Sequence, residues 1–238
     1  MRLYYDIEVS PNIGLFWQTG HKISVGYESI IKERAIICIA YKWEGQKKVY
    51  SLHWDNKQCD KKMLKEFAKV LNSADEVVGH NVDNFDTKWI RTRCLKHGIS
   101  ITPYITSIDT LKEAKKLFRF NSNRLDYISK FLGKSGKTST GYDLWKGILL
   151  DKSKKDLDEM IRYCKNDVVI LESVYNAMKP YVKSKSNRGD SVRNCPECNS
   201  ENVYVVRYRV SAAGSKSVQY QCQSCGRYHQ VPLNKFNK

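Results

Sequence analysis

Two acidic residues near the start of the chain, Asp6 and Glu8, lie two positions apart within the aromatic and β-branched run RLYYDIEV. Such a run is typical of a β-strand, in which residues i and i+2 point to the same face. Two adjacent carboxylates repel each other by about 4 kcal/mol at an intermediate dielectric. A divalent cation between them would relieve that repulsion, so the pair is a candidate metal site. The alternative is an exposed edge strand with two solvated acids.

A third acidic position lies in the segment His80–Asp86, which has the sequence HNVDNFD. The segment follows a short predicted strand and enters a predicted helix. Asp86 is therefore expected at a helix N-terminus beside the carboxyl edge of the sheet. An aspartate at that position can also act as an N-cap, which is the simpler explanation when this segment is considered alone.

A fourth acidic position lies in the segment YCKND, where Tyr163 and Asp167 are four residues apart. On a helix this spacing places both side chains on one face. A phenol and a carboxylate could then reach the same reaction centre. The alternative is a tyrosine at the edge of the core and a capping or solvated aspartate.

Together and in this order, the three motifs resemble those of the DEDD superfamily of 3′–5′ exonucleases, which includes DNA-polymerase proofreading domains and ribonuclease D. The family patterns D-x-E, N-x(2–3)-(F/Y)-D and Y-x3-D are matched by Asp6 and Glu8, by Asn81, Phe85 and Asp86, and by Tyr163 and Asp167. The tyrosine in the third motif is typical of the family's tyrosine branch, and the spacing to Phe85 favours Asp86 over Asp83. The resemblance covers about residues 1–182 and implies a ribonuclease H-like fold.

The resemblance also implies a chemistry, the hydrolysis of phosphodiester bonds by two divalent ions about 3.5–4 Å apart. Mg²⁺ and Mn²⁺ are the expected ions, because both prefer carboxylate oxygens and water as ligands. Their expected ligands are the four acids Asp6, Glu8, Asp86 and Asp167. Tyr163 is expected to orient the attacking water, because a phenol with a pKa of about 10 is a poor general base at neutral pH.

Three further residues are candidates for substrate binding. Asn81 and Phe85 belong to the second motif, and Trp145 follows a basic segment at residues 134–141. The tryptophan and that segment could hold the 3′-terminal nucleotides by stacking and by charge. A packed tryptophan and a solvated loop explain the same residues equally well. Asp109 could support the acids from behind, but its place before a predicted helix favours an N-cap.

Two CxxC pairs near the end of the chain, CPEC and CQSC, are separated by residues 199–221. Four thiolates suit the tetrahedral geometry of zinc, with Fe–S ligation and a redox pair as the alternatives. A segment this short has too little core to fold easily without the metal, so one structural zinc is expected. Residues 203–210 and 217–221 predict a hairpin, so the module resembles a zinc ribbon. The expected zinc ligands are Cys195, Cys198, Cys222 and Cys225.

The predicted zinc module also interleaves basic and aromatic residues, a composition that suits a nucleic-acid surface. These residues are Tyr204, Arg207, Tyr208, Arg209, Lys216, Tyr220, Arg227 and Tyr228. A purely structural module is the alternative. Over the whole chain, 41 basic and 25 acidic residues give a formal net charge of +16. That excess favours nucleic acid as the partner, although a generally basic surface has the same charge, and no protein partner is indicated.

The predicted elements that must position these residues change in type along the chain. Strands are predicted at Arg2–Val9, Asn12–Gln18, Ala35–Trp43 and Lys48–Trp54, as an antiparallel meander, and then at 76–80 and 105–108. Helices are predicted at 61–71, 86–97, 111–118, 125–132 and 155–181, with a break near Asn166 left open. The expected fold class is therefore α/β, a ribonuclease H-like mixed sheet flanked by helices plus a small C-terminal zinc-ribbon β module. The expected domains are an exonuclease domain at 1–182, a polar linker at 183–194 and a zinc ribbon at 195–238.

The combined prediction is a metal-dependent 3′–5′ exonuclease that acts on the 3′ end of nucleic acid, with single-stranded DNA as the favoured substrate. An RNA-directed exonuclease and a nucleic-acid-binding protein with an inactive nuclease-like domain are the alternatives. The first residues have no secretory-signal pattern and no apolar run approaches about 18 residues, so a cytoplasmic, intracellular protein without a membrane partner is expected. The remaining cysteines, at positions 38, 59, 94 and 164, are then expected to be ordinary thiols.

Overall fold

A computed structural model describes residues 1–18, 20, 24–134, 141–183, 189 and 191–236. Its internal contacts divide the chain into two compact units, which are Met1–Asp109 with Gly136–Leu171 and Thr110–Ser135 with Glu172–Lys238. Most of the predicted basic segment at 134–141 and part of the predicted linker at 183–194 lie outside the described residues. Within the described part of the chain, no helix is long and apolar enough to span a membrane.

The predicted elements occur in the predicted order, and further elements that the sequence did not predict lie at 30–32, 142–149, 228–232 and 233–236. The strands are β1 (Arg2–Val9), β2 (Ile13–Gly14), β3 (Ile30–Lys32), β4 (Ile36–Trp43), β5 (Tyr50–His53), β6 (Glu76–Gly79), β7 (Thr106–Asp109), β8 (Val203–Val210), β9 (Lys216–Cys222) and β10 (Tyr228–Pro232). The helices are α1 (Lys61–Asn72), α2 (Asp86–His97), α3 (Thr110–Leu117), α4 (Leu125–Phe131), α5 (Tyr142–Leu149), α6 (Lys154–Met178) and α7 (Leu233–Phe236). Short 3-10 helices lie at Tyr27–Ser29 and Lys179–Tyr181.

A mixed five-stranded sheet in the order β5-β4-β1-β6-β7 forms the centre of the first unit. β4 is antiparallel to β1 and β5, whereas β6 is parallel to β1 and β7 is parallel to β6. The apolar face of α1 packs on this sheet, where Leu64 and Phe67 join Tyr5 and Ile7 of β1 in one buried cluster. Burial of apolar surface on both elements holds them together. The mixed sheet flanked by helices agrees with the predicted fold class.

One predicted strand of this unit is wrong. The run Asn12–Gln18 forms only the two residues of β2, which pairs with β3 in a separate two-stranded sheet and not in the main sheet. Leu15, Phe16 and Trp17 of this run are exposed, so the run buries no apolar face that could hold it beside β1. The long predicted helix is continuous through Asn166, which closes the question of a break there.

An antiparallel three-stranded sheet in the order β10-β9-β8 lies in the second unit. β8 and β9 confirm the hairpin predicted at 203–210 and 217–221. Val218, Tyr220 and Val231 form a small buried core on one face of this sheet. α3, α4 and the C-terminal part of α6 belong to the same unit.

A buried ion-pair cluster centres on Glu197, which lies between the two cysteines of the first CxxC pair. Its carboxylate lies 3.2 Å from Lys179 Nζ and 3.1 Å from Arg227 Nη2, and it accepts the hydroxyl of Tyr175 at 3.3 Å. The predicted surface position of Arg227 and Tyr220 is wrong, because they are only 0% and 4% exposed. Arg227 instead compensates the buried charge of Glu197, since an ion removed from water requires a partner.

Candidate active site and cysteine cluster

β1 presents Asp6 and Glu8 on one face of the main sheet. Both are half-buried, while Ile7 between them points into the core on the other face. On the neighbouring antiparallel strand β4, Ala40 lies opposite Asp6 and Cys38 lies opposite Glu8. Directly opposite residues share a face of the sheet, so small side chains flank the two acids and leave their carboxylates accessible.

α6 adds a third carboxylate to this face. Asp167 is buried, and carboxylate oxygens of Asp6, Glu8 and Asp167 all lie within 4.8 Å of one another. Tyr163 lies one turn earlier on the same helix and is half-buried. Three carboxylates at this separation repel one another without a cation, and they form the oxygen-rich ligand set that Mg²⁺ and Mn²⁺ prefer. The structure therefore brings together three of the four predicted acids.

Asp86, the fourth predicted acid, is the first residue of α2 and is held against β1. The backbone N–H of Ile7 donates to Asp86 Oδ1 at 3.2 Å, and the hydroxyl oxygens of Thr87 and Tyr5 lie 3.0 Å apart. Burial, followed by the negative charge of the β1 acids, raises the pKa of Asp86 well above its ordinary value. The charged form of Asp86 is thus disfavoured unless positive charge is brought to the site.

The loop between β6 and α2 is fixed by Asp109, a buried residue at the end of β7. Its carboxylate accepts the backbone N–H of Asn81 at 2.9 Å and that of Asp83 at 3.3 Å. The carboxylate of Asp83 accepts the hydroxyl of Ser107 at 2.5 Å, so Asp83 contacts β7. Asp109 therefore supports the segment that carries Asp86. This is the supporting role that the sequence analysis gave as the alternative to a helix N-cap.

The backbone of the same loop depends on two residues with unusual freedom. Asn81 has a φ of 67°, a left-handed conformation that asparagine tolerates better than most residues. At Gly79, an added Cβ would lie 2.5 Å from the Cβ of Val82, so a larger residue there would displace the loop. The tight turn follows directly from β6 and sets the start of α2.

Cys164, which sequence spacing left as an ordinary thiol, contacts the first acid. Its sulfur lies 3.4 Å from the carbonyl oxygen of Asp6 and 3.7 Å from Asp6 Oδ2, distances at which a thiol can donate a weak hydrogen bond. Cys164 is buried and directly follows Tyr163 on α6. That neighbourhood is the only sequence signal that points to a role in holding Asp6.

A pocket of about 320 Å³ is lined by residues that include sequence neighbours of two of the acids. It is lined by Val9, Ser10, Pro11, Arg34, Phe85, Tyr142 and Trp145. Val9 directly follows Glu8 and Phe85 directly precedes Asp86 in the sequence, and the acids themselves are not part of the lining. Phe85 and Trp145 are two of the three predicted substrate-binding residues, and Asn81 is not part of the lining. Three aromatic rings and one guanidinium suit the binding of a base and a phosphate.

The four C-terminal cysteines meet in one cluster. All four sulfurs lie within 4.8 Å of one another, and the pairs Cys195–Cys225 and Cys198–Cys222 have Sγ–Sγ distances of 3.6 Å. Four sulfurs bonded to zinc at about 2.3 Å in a tetrahedron are about 3.8 Å apart, so the cluster fits that ion. Burial opposes ionisation of Cys222, but N–H groups of Cys225 and Ser224 donate to its sulfur and lower its pKa to about 7. A thiolate is the form that binds zinc.

A third group of metal-ligand residues, Cys59, Asp60 and His97, has a structural explanation. Asp60 is fully buried and accepts hydrogen bonds from Arg93 Nε at 2.7 Å and Nη2 at 2.8 Å, and His97 Nε2 lies 2.7 Å from Asp60 Oδ1. The backbone N–H of Ile36 also donates to Asp60 at 3.0 Å. The guanidinium already supplies the positive charge that a cation would bring, so this group ties α1, α2 and β4 together.

Comparisons with known proteins give two matches of interest. The family model RNase_H_2, described as RNase_H superfamily, matches residues 28–179. That range contains Asp86, Tyr163 and Asp167, and it begins after the two acids of β1. Among proteins with curated descriptions, none matches this sequence.

The second match is a solved structure, that of the family B DNA polymerase from the hyperthermophilic archaeon Pyrobaculum calidifontis. The two chains superpose with a TM-score of 0.58 at 15% sequence identity, over 76% of this chain and 24% of the polymerase chain. At this identity the likeness concerns the fold alone. This chain is thus similar to about a quarter of the length of that polymerase.

Proposed function

Because this chain belongs to the RNase_H superfamily, which confirms its predicted fold class, we propose that it is a metal-dependent nuclease. The observation that carries the proposal is the convergence of carboxylate oxygens from Asp6, Glu8 and Asp167 within 4.8 Å. We assign Asp6, Glu8, Asp86 and Asp167 as ligands of two Mg²⁺ or Mn²⁺ ions. The raised pKa of Asp86 supports this assignment, because a site that disfavours its own negative charge gains most from a bound cation.

Bound divalent ions would supply Lewis acidity to the scissile phosphate and lower the pKa of the attacking water. The chain's own residues set the geometry around that chemistry. Tyr163 orients the attacking water through its hydroxyl, from the same helix face as Asp167. Cys164 and the N–H of Ile7 hold Asp6 and Asp86 in place, which matters because small displacements of a reacting group cost large factors in rate.

The pocket lined by Phe85 and Trp145 supports an enzyme that acts on the end of a strand. Phe85 and Trp145 would stack against an unpaired terminal base, and Arg34 would bind a phosphate. The third candidate, Asn81, would act from the loop that carries Asp86. The resemblance to DEDD exonucleases adds three parts to the proposal. These are the 3′–5′ direction, the preference for single-stranded DNA and the alternative of an RNA substrate.

We also propose one structural zinc at Cys195, Cys198, Cys222 and Cys225, and the domain limits 1–182, 183–194 and 195–238. The sulfur separations support the zinc. All four acids precede the proposed linker. Glu197 of the zinc ribbon nevertheless contacts Tyr175 and Lys179, so the last residues of the exonuclease domain and the ribbon pack together. A nucleic-acid-binding protein with an inactive nuclease-like domain is the competing reading, and the complete set of four acids argues against it.

The test is the degradation of DNA and RNA oligonucleotides labelled at the 5′ or the 3′ end, with Mg²⁺, Mn²⁺ or a chelator. We expect mononucleotides from the 3′ end, full dependence on a divalent ion and a preference for single strands. Asp6→Ala should reduce turnover by several orders of magnitude without unfolding the chain, and circular dichroism provides that control. Activity near that of the unmodified protein in Asp6→Ala would refute the two-metal site.

A further inference from the structure

Within the described part of the chain, one face of the three-stranded sheet in the second unit has exposed side chains. The strand register places Tyr204 opposite Gln221 and Gln221 opposite Tyr228, and it places Arg207 opposite Gln219. Directly paired residues share a face, which is opposite to the face that carries the buried core residues Val218 and Tyr220. The surface called the ribbon face here consists of Tyr204, Arg207, Arg209, Gln219, Gln221 and Tyr228.

The side chains of the ribbon face are ordered along the sheet. The hydroxyl of Tyr204 donates to Gln221 Oε1, and Arg207 Nε donates to Gln219 Oε1 at 2.8 Å. Tyr204 and Tyr228 are still 43% and 47% exposed. Because neighbouring strands are about 4.8 Å apart, the two rings are anchored about 10 Å apart on either side of Gln221. The Tyr204 ring, which is held through its hydroxyl, loses little conformational freedom when a ligand stacks on it.

The charge of the ribbon face is of one sign. Arg207 and Arg209 are the charged members, and no Asp or Glu occurs in the chain after Glu201. Glu197, the acidic residue within the first CxxC pair, is fully buried in ion pairs with Lys179 and Arg227. Arginines beside tyrosines and amides form a surface that complements phosphates and unpaired bases.

We infer that the ribbon face binds single-stranded nucleic acid, with bases stacked on Tyr204 and Tyr228 and phosphates bound by Arg207 and Arg209. Single strands are specified because stacking on a side chain requires a base whose face is not covered by its neighbours. The choice of ligand rests on the proposed nuclease function, since the strand held here would be the substrate. A protein strand added to the free edge of β8 is less suited, because the bulge between Val205 and Arg207 interrupts the ladder.

The experiment measures binding of fluorescent oligothymidylate and oligouridylate to the full chain carrying Asp6→Ala, so that cleavage does not interfere. We expect Tyr204→Ala and Tyr228→Ala each to raise Kd by roughly 5- to 100-fold, which corresponds to one lost stacking contact. Tyr204→Phe should keep most of the affinity, because it keeps the stacking ring and loses only the hydrogen bond to Gln221. Arg207→Gln and Arg209→Gln should each reduce the slope of log Kd against log salt by about 0.7.

Tyr208→Ala is the matched control. Tyr208 pairs with Val218, so it lies on the other face of the same strand, and it is 68% exposed. Its removal should leave Kd unchanged within about twofold, which corresponds to a free-energy change smaller than RT. An equal loss of affinity in Tyr208→Ala would overturn the assignment of the face. Unchanged affinity in Tyr204→Ala and Tyr228→Ala would overturn the proposal and favour a protein partner.

Two measurements separate this inference from the nuclease proposal. Zinc content verifies that each variant is folded, and if an alanine variant loses zinc, the salt slopes of Arg207→Gln and Arg209→Gln decide instead. Cleavage by the protein with Asp6 intact tests the nuclease proposal independently of the binding surface. Binding that depends on the ribbon face without any cleavage would support the binding surface and refute the proposed nuclease activity. Cleavage together with unchanged affinity in the tyrosine variants would support the nuclease activity and refute the binding surface.

Discussion

The acid cluster and the cysteine cluster assemble their ligands in opposite ways. The acids come from β1, α2 and α6, and residues 6 to 167 must fold before they meet. The cysteines come from two short knuckles joined by one antiparallel sheet. Sequence neighbours of the acids line a pocket, whereas four thiolates would fill the whole coordination sphere of a zinc ion. An open set of mutually repelling ligands suits chemistry, and a closed set suits structure.

The two clusters also differ in how the protein affects the charged form of their side chains. In the acid cluster, burial and repulsion raise the pKa of Asp86, so the metal-free protein is strained there at neutral pH. In the cysteine cluster, burial raises the pKa of Cys198 and Cys225. Burial also opposes ionisation of Cys222, but knuckle N–H groups lower its pKa to about 7, so the backbone favours the charged form of one of the four cysteines. The four predictions below sharpen this contrast, from the largest expected effect to the smallest.

Loss of zinc should have the largest effect. Structural zinc sites contribute apparent free energies of about 10–16 kcal/mol, more than a small module can replace. We expect Cys222→Ser to lose zinc and the hydrogen-exchange protection of β8–β10, while the amides of β1 and β4 stay protected. Cys59→Ser is the control, because Cys59 lies outside the four-cysteine cluster. Retention of one zinc per chain in Cys222→Ser would show that the cluster is not the metal site.

Loss of Asp86 should have the next largest effect. We expect Asp86→Asn to reduce the rate of cleavage by at least about a thousandfold, or about 4 kcal/mol of transition-state stabilisation. The amide can still accept the N–H of Ile7, so the start of α2 should stay in place. Asp83→Asn is the matched control, since Asp83 contacts Ser107 and should preserve most of the activity. Equal losses in the two variants would point to the loop and away from the carboxylate.

Loss of the Tyr163 hydroxyl should be milder. If it orients water and does not bind metal, Tyr163→Phe should slow cleavage by about 10- to 100-fold, at the low end of the range for such groups. Isothermal titration should show unchanged Mn²⁺ affinity. Tyr181→Phe serves as the control, because Tyr181 belongs to the other compact unit, where it contacts Phe118. A missing Mn²⁺ site in Tyr163→Phe would instead make the phenol a ligand.

The smallest effect concerns pH. The folded-state pKa of Asp86 is raised, so its contribution to stability is present below its ordinary pKa and is lost as pH rises through the raised value. The metal-free protein should therefore gain up to about 1.4 kcal/mol per pH unit as pH falls through that window. Thermal unfolding of the unmodified protein and of Asp86→Asn measures the difference, and saturating Mg²⁺ should weaken it. A pH profile that is identical in Asp86→Asn would assign the strain to other groups.

The sequence predicted most of this arrangement where local signals suffice. β1 and α2 have the predicted limits, and Gly98 ends α2 in the left-handed conformation that its residue type indicates. α5 was not predicted, because its glycine at position 147 weakens the helical signal. An added Cβ there would lie 1.9 Å from Asp156 Oδ2, so Gly147 serves the packing of α5 beside the start of α6.

Non-local contacts explain what the sequence could not reveal. The sequence around Arg227 does not show that this residue forms an ion pair with the buried Glu197. A basic residue in a basic module is therefore predicted on the surface. Likewise the apolar run at Asn12–Gln18 has the composition of a strand but no partner surface in the main sheet. In both cases the environment of the residue depends on elements distant along the chain.

The support of the loop between β6 and α2 by Asp109 has a consequence for evolvability. Asp109 holds this loop through backbone N–H groups, which every residue except proline supplies. Side chains at 84 and 85 can therefore diversify while Asp86 keeps its place at the head of α2. Phe85 lines the pocket, so a saturation library at that position should yield folded variants with altered terminal-base selectivity. The loop is a place where specificity can drift without loss of the scaffold.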